Sequence, residues 1–258
     1  MGESLLDVRL LNKAFGTVVT AKDLNFSLNR GVITSIIGPN GAGKSTLINV
    51  LTGLLPADSG EIWFEGREIT REPIHKRVTL GLGRSFQVVN VFGNLTVFEN
   101  LAIPSLALKR HTGKIFKAVA NLRDIHQDVE NVLSEVGLLG QAYMVARSLS
   151  HGDQRLLEVA IALAAKPRLL FLDEPTAGMN PVERTRILET IRKLSLSGEV
   201  TFVIVEHDMD IVFSLSDRVM ALHRGHIIGD GSPEEIRRNP EVREVYLGEE
   251  VQHGAAGQ

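Results

Sequence analysis

The chain has 258 residues, 43% hydrophobic and 23% charged, so it has ample apolar material for a large core and holds one large domain or two interlocked lobes. Its 28 Lys and Arg against 31 Asp and Glu leave a formal charge of −3, and no basic excess argues for nucleic acid as a partner. The lack of cysteine excludes a disulfide framework, cysteine-ligated zinc, an iron–sulfur cluster and a thiol nucleophile together, and it fits a reducing compartment.

The first residues, Met1-Gly2-Glu3-Ser4-Leu5-Leu6-Asp7, place acids where a signal peptide needs a basic region, and Leu6 where a myristoylation motif needs Ser or Thr. The chain is expected to stay on the side where it is made. Its longest apolar stretches, 156–165 and 169–172, are broken by Glu158, Lys166 and Arg168 and fall short of the ~20 residues of a membrane span. Any membrane role is expected to be peripheral.

Residues 8–10 and 24–28 alternate as strands, and Asn29-Arg30-Gly31 reads as a turn. Residues 32–37 are nearly all apolar or β-branched, as in a strand buried on both faces of a parallel sheet. A helix over 45–51 follows, with Gly53 as its stop, and residues 62–64 and 67–69 flank Gly66 as a hairpin. From 95 to 149 the spacing turns helical, with Val129, Val132, Leu133 and Val136 on one face. A further helix over 155–165, buried strands at 169–172 and 201–205, and a helix over 182–194 between them imply a parallel sheet. Ser232-Pro233-Glu234-Glu235 opens a last helix, and 251–258 reads as a loose tail. Residues 100–123 hold five Lys or Arg and no acid, a stripe suited either to lipid head groups or an acidic loop, or simply to solvent.

Gly38-Pro39-Asn40-Gly41-Ala42-Gly43-Lys44-Ser45-Thr46 matches the G-x-x-x-x-G-K-[ST] phosphate loop and lies between a strand and a helix, where that loop works. Its backbone N–H groups would cradle phosphates, Lys44 would reach the β- and γ-phosphates, and the Ser45 hydroxyl would ligate Mg²⁺. Residues 169–172 then deliver Asp173 and Glu174 at a strand's C-terminal end, Asp173 to orient the Mg²⁺ shell and Glu174 to activate water.

Between these motifs stands Leu149-Ser150-His151-Gly152-Asp153-Gln154-Arg155, which resembles the signature of the ATP-binding cassette family. The resemblance runs in order through Phe15, the phosphate loop, Gln87 in Arg84-Ser85-Phe86-Gln87, the signature, Asp173-Glu174, the turn Ala177-Gly178-Met179-Asn180-Pro181, and His207 in Val205-Glu206-His207-Asp208. Singly, Phe15 reads as core, Gln87 as a surface amide and His207 as a loop histidine; their order and company give them function.

The resemblance implies an α/β fold: a phosphate-loop ATPase core with a mainly parallel sheet and an antiparallel β edge over 1–99 and 166–250, and a helical insert over about 100–165. It implies that Phe15 stacks on adenine, that Gly38, Asn40, Gly41, Gly43, Lys44, Ser45 and Thr46 bind the nucleotide, and that Ser45, Gln87 and Asp173 hold Mg²⁺. Glu174, Gln87 and His207 would be catalytic, His207 on the γ-phosphate. Ser150, Gly152 and Asp153 would face ATP bound to a second subunit, identical or paralogous. Three residues depart from the family's pattern: His151 for glycine, Asp153 for glutamine and Asn180 for aspartate. An added carboxylate near ATP repels it unless it turns into its own helix end.

Residues 84–87, 95–100, 177–181, 206–209 and the ending Asn239-Pro240-Glu241-Val242-Arg243-Glu244-Val245-Tyr246-Leu247-Gly248 are similar to bacterial uptake subunits for branched-chain amino acids. Such a subunit would work on the cytoplasmic face of the cell membrane, with integral permease subunits and, through them, an extracytoplasmic solute-binding protein. A lipopolysaccharide-export ATPase has a similar ending and is the near rival. A soluble cassette ATPase of DNA repair or translation is a further alternative, disfavoured by one cassette without a coiled-coil insert.

Overall fold

In the computed structural model of the protein, residues 3–85, 91–109 and 117–245 are described. Gln87, Tyr246 to Gly248, residues 110–116 of the basic stretch and the tail 251–258 lie outside them. Along the chain run β1 (Ser4–Phe15), β2 (Val18–Asn29), β3 (Thr34–Ile37), α1 (Lys44–Leu51), β4 (Ser59–Phe64), β5 (Arg67–Glu68), α2 (Ile74–Thr79), β6 (Leu82–Arg84), α3 (Val97–Lys109) and α4 (Lys117–Glu135). Then come α5 (His151–Ala164), β7 (Leu169–Asp173), α6 (Pro181–Leu196), β8 (Thr201–Val205), α7 (Met209–Leu215), β9 (Arg218–His223), β10 (His226–Gly231) and α8 (Pro233–Arg238). The described residues form two compact units, one within Met1–Arg77 and Thr201–Gln258, the other within Val78–Val200.

In the first unit, β1 and β2 are 12 residues each, far longer than the alternating runs at 8–10 and 24–28 suggest. The difference is a paired irregularity. Leu10 and Asp23 both adopt positive φ, and the β1–β2 register shifts there. The Asn12 amide bridges the defect, donating to the Leu10 carbonyl and to Asp23 Oδ1 while accepting the Asp23 N–H. Such a bulge breaks the two-residue period, so each long strand reads as a short one. The antiparallel sheet runs β2-β1-β4-β5. Its β4–β5 turn has positive φ at Glu65 and Gly66, the geometry that right-twisted hairpins prefer.

The other strands of this unit lie in the order β10-β9-β3-β8, with β3 parallel to β8 and β9. Every residue of β3 and β8 is buried, as strands covered on both faces require. Ile37, Val212, Val219 and Ile236 form one core cluster, which fastens α7 and α8 to the sheet. The C-terminal end of α1 is closed by Arg77, only 2% exposed, whose guanidinium donates to the carbonyls of Val50, Leu51, Thr70 and Glu72. Burial pulls its pKa down to about 10, so the cation persists at neutral pH.

In the second unit, β6 and β7 pair in parallel and all five residues of β7 are buried. Helix α3 packs on α4 and α5, and α5 on α6. The helical expectation over 95–149 holds only in part. Beyond Val136 the chain turns at Gly137, and 138–149 contains only two single 3-10 turns, Leu139–Gln141 and Ala146–Ser148. That stretch bonds instead beside the start of α3: Val97 N–H donates to the Met144 carbonyl, Phe98 N–H to Ala142 and Ala146 N–H to Leu95. Glycines 137 and 140 interrupt the period, and neighbouring backbone supplies the missing partners.

Candidate functional site

The phosphate loop leaves β3 at Ile37 and enters α1 at Lys44. Its shape is imposed by backbone from elsewhere in the first unit. A Cβ on Gly38, at φ +155, would overlap the Leu222 carbonyl oxygen of β9. One on Gly43, at φ +103, would overlap the Thr20 carbonyl oxygen of β2. The Ala42 carbonyl is held by the N–H of Gly225, in the β9–β10 turn, at 3.1 Å, and Gly225 in turn accepts the Lys22 N–H at 2.9 Å. Gly43 caps α1 without a side chain, so the first N–H groups of that helix remain free of any side-chain cap, the arrangement that suits a phosphate.

Lys44 is 6% exposed, and its ammonium donates to the carbonyls of Gly38 and Pro39, the latter at 2.9 Å. The charge is thereby fixed within the loop by the loop's own backbone. Asn40, Gly41 and Ser45 are exposed along the same turn, and Thr46 is half-buried. The Ser45 hydroxyl and the Asp173 carboxylate are hard oxygen donors, the chemistry that Mg²⁺ takes alongside substrate phosphates.

Strands β3 and β8 are parallel neighbours, Ile36 opposite Val205, so the phosphate loop and Glu206-His207 emerge at the same C-terminal edge. His207 is exposed, directly ahead of Asp208, whose carboxylate caps α7 by accepting the N–H groups of Asp210 and Ile211. Phe15 ends β1 at 49% exposure, so it is a surface aromatic and not core.

In the second unit, Asp173 is 4% exposed at the end of β7, and its carboxylate meets the Arg84 guanidinium at 3.2 Å. The adjoining strand is fixed by Ser85, whose N–H donates to the Phe171 carbonyl and whose hydroxyl accepts the Asp173 N–H. Glu174 follows at φ +48, left-handed backbone that a residue other than glycine rarely adopts, and it precedes Pro175, which restricts the residue before it further. Strain of this kind costs about 1–3 kcal/mol and collects at functional sites. Glu174 is half-buried there, and the turn behind it is closed by Ala177 N–H on the Glu174 carbonyl.

The signature helix starts earlier than the sequence suggests: α5 begins at His151, with Ser150 as its N-cap accepting the Asp153 N–H at 3.1 Å. The Asp153 carboxylate does not return to the cap. One oxygen accepts Arg186 of α6 at 2.6 Å and the other Gln141 at 3.2 Å, and Arg186 also donates to the Gly137 carbonyl. The added negative charge of this signature is thus met by a cation within its own unit.

Asn180, the other acid-related departure, has an equally local use. Its side chain caps α6 by accepting the N–H groups of Val182 and Glu183, and Glu183 completes a capping box. The second Glu183 oxygen accepts the Gly152 N–H at 3.2 Å, and a Cβ on Gly152 would sit 2.7 Å from Glu183 Cγ. The Glu183 side chain thus fills the space beside Gly152, and a larger residue there would have to displace it. Arg84, Gln141, Glu183 and Arg186 were not anticipated as site residues; Arg84 alone stood inside a motif that the sequence offered.

Residues 21–177 match the family model described as ABC transporter, and residues 226–252 match the one described as branched-chain amino acid ATP-binding cassette transporter. The chain belongs to the ATP-binding cassette transporter family. It is 38% identical over 257 residues to the high-affinity branched-chain amino acid transport ATP-binding protein BraF of Pseudomonas aeruginosa, covering 96% of this chain and 100% of that one. It is 36% identical over 255 residues to LivG of Escherichia coli, of the same description, again covering 96% and 100%. An ATP-binding cassette of an ABC transporter solved in its ADP conformation superposes with a TM-score of 0.83 at 32% identity, covering 95% of this chain and 99% of the other. A nucleotide-free cassette superposes at 0.81 with the same identity and coverage. The protein is therefore an ATP-binding subunit of an ATP-binding cassette transporter, an ATPase of the kind whose hydrolysis drives transport, and neither the export nor the non-transport alternative is favoured. Among the described residues no helix is long and apolar enough to cross a membrane.

Proposed function

We propose that this subunit energises the import of branched-chain amino acids or similar small solutes. The observation that carries the reading is the match of residues 226–252 to the branched-chain amino acid transporter model, together with relatives named for that transport at 36–38% identity over nearly the whole chain. It would sit on the cytoplasmic face of the membrane, paired with a second cassette subunit, identical or paralogous, beneath integral permease subunits fed by an extracytoplasmic solute-binding protein. The helical lobe over about 100–165 would meet the permease, and the core over 1–99 and 166–250 would hold the nucleotide. Supporting that face, Tyr143 is 73% exposed and stacks on Phe98, with Met144 exposed beside it, an apolar surface of the kind that partner helices cover.

At the nucleotide, Phe15 stacks on adenine and the N–H groups from Gly41 to Thr46 receive the phosphates, with Lys44 at the β- and γ-oxygens. Ser45, Asp173 and Gln87 would hold Mg²⁺, which would supply charge neutralisation at those phosphates. Glu174 accepts a proton from the attacking water, and His207 fixes the γ-phosphate. Ser150 and the Gly152 N–H face the γ-phosphate of the second subunit, taking that donor from Glu183, and Asp153 supports this turn through Arg186. ATP's preference for the paired state then shifts the population toward closure, and hydrolysis releases it.

Two experiments test this. Deleting the chain should abolish uptake of labelled leucine, isoleucine and valine while sparing an unrelated amino acid; unchanged uptake with a lipid-export defect would favour the exporter instead. Lys44→Ala should lower ATP affinity about a hundredfold without unfolding the chain, because the loop backbone is set by its glycines. Near-normal affinity in that variant would remove the phosphate-loop assignment.

A further inference from the structure

The half-exposed ring of Phe15 is held by groups that the nucleotide reading leaves without a role. Lys13, two residues earlier in β1, is 8% exposed. Its ammonium lies 5.3 Å from the Phe15 ring centroid and 2.6 Å from Asp58 Oδ1. The second Asp58 oxygen accepts the Ala14 N–H at 2.8 Å, and the Asp58 N–H donates to the Asn12 carbonyl at 2.9 Å. One residue just ahead of β4 therefore grips three consecutive residues of β1 immediately before the aromatic.

Strand β2 grips the same place from the other side. The Thr20 hydroxyl donates to the Lys13 carbonyl at 2.9 Å, and the Thr20 carbonyl oxygen is the atom that leaves no room for a Cβ on Gly43. A continuous path of contacts thus runs from the Phe15 ring through Lys13 and Thr20 to the phosphate loop, all inside the first unit. The hydrogen bond from Lys13, then that from the Ala14 N–H, holds the Asp58 carboxyl below the usual carboxylate range. A cation over one face of an aromatic ring binds that face and leaves the opposite one for a stacking partner.

We propose that Lys13, Thr20 and Asp58 are positioning residues for the base of the nucleotide, fixing the Phe15 ring in register with the phosphate loop so that a triphosphate seated in the loop brings its base onto the ring's open face. The inference rests on Phe15 as the base platform. It assigns the first unit a ruler between two binding elements that local sequence separates by more than 20 residues.

The test compares a ligand with a base and one without. Affinities of the purified full-length chain for Mg-ATP and for Mg-tripolyphosphate are measured for the parent and for Phe15→Ala, Lys13→Met, Lys13→Arg and Asp58→Asn. The expected result is that Phe15→Ala and Lys13→Met each weaken ATP by about tenfold, the scale of one lost base stack, with tripolyphosphate changed less than about twofold. Lys13→Arg, which keeps the cation, should recover ATP affinity. Asp58→Asn, which keeps the shape and removes the partner charge, reads the same bracket if Lys13→Met does not fold. If Phe15→Ala weakens ATP and neither Lys13→Met nor Asp58→Asn does, the positioning role is overturned while the platform stands. If Phe15→Ala leaves ATP affinity intact, the platform itself is wrong. Equal loss of both ligands in Lys13→Met would overturn the proposal too, because the lysine would then serve the loop and not the base.

Discussion

The phosphate loop of the first unit and the signature turn of the second are both short turns opening a helix, yet they are held in opposite ways. The loop is moulded by main chain: Leu222, Thr20 and Gly225 press or bond on it with carbonyls and an N–H, and Lys44 ties its own side chain into it. The signature is moored by long side chains from other helices, Arg186 and Glu183 from α6 and Gln141 from the preceding turn. Main-chain moulding demands glycine at fixed positions and tolerates little else. Side-chain mooring tolerates local change, as Asp153 illustrates, provided that the distant partner changes with it.

The largest effect should come where the second unit concentrates chemistry in one strained residue. Glu174→Gln is expected to lower ATP turnover by about 10²–10⁴-fold while ATP still binds, since the amide keeps the shape and loses the base. Glu174→Gly should be equally inactive but about 0.5–1 kcal/mol more stable, because relief of left-handed strain exceeds glycine's backbone entropy cost. Urea unfolding beside a turnover assay decides it. A less stable Glu174→Gly would mean that the strain is not real.

Next comes the moulded loop itself. Gly38→Ala should destabilise the protein by about 3–4 kcal/mol and abolish ATP binding, because the new methyl meets a main-chain carbonyl that cannot turn aside. Gly41→Ala is the control, at φ +80 with nothing within 4 Å of the added carbon, and should cost only about 1 kcal/mol of left-handed strain. Equal costs for the two would show that backbone angle, and not close approach, selects glycine here.

This contrast explains what the sequence reveals. The phosphate loop is legible because its constraints fall on glycines within nine consecutive residues, and β3, β7 and β8 are legible because burial on both faces writes runs that are nearly all apolar or β-branched. The bulge that joins 8–10 into a strand of 12 residues is not, since it depends on Asn12 finding Asp23 across the sheet. Nor is the fate of Asp153, whose partner lies 33 residues on. Beyond α4 the apolar spacing persists while two glycines end the helix, so periodicity alone extends it too far. In the same way β9, β10 and α7, which brace the phosphate loop and its core, are short, six or seven residues each, and their brief apolar runs do not stand out in the sequence.

The mooring of the signature predicts a smaller, more selective effect. Arg186→Ala should cost about 1 kcal/mol of stability, since the arginine is 46% exposed while its partner is 13% exposed. The isolated subunit should bind ATP as before, because the loop lies in the other unit. Turnover, and ATP-driven pairing in the Glu174→Gln background measured by sedimentation, should fall about tenfold or more as the turn loses its set. Restoring glutamine in Asp153→Gln together with Arg186→Ala should recover most of the loss by removing the carboxylate that needs the cation. Additive defects in that double variant would refute the pairing.

The smallest effect separates charge that is answered from charge that is crowded. Glu135, near the end of α4, is pushed above the ordinary glutamate value of 4.5 by burial first and by the Glu199 carboxylate second, with Lys193 only partly opposing them. A raised carboxyl pKa means that the folded chain holds this proton more tightly than the unfolded one, so stability falls as pH rises from about 4.5 through the folded value and stays lower above it. Asp153, by contrast, is paired with Arg186. Glu135→Gln should therefore stabilise the protein at pH 7 by a few tenths of a kcal/mol, discounted because the site is largely open to solvent. The gain should shrink to nothing below pH 4, where the parent carboxyl is protonated in both states. Melting temperatures of parent and variant across pH 4 to 8 measure it, and a difference that did not narrow on acidification would assign the gain to packing in place of charge.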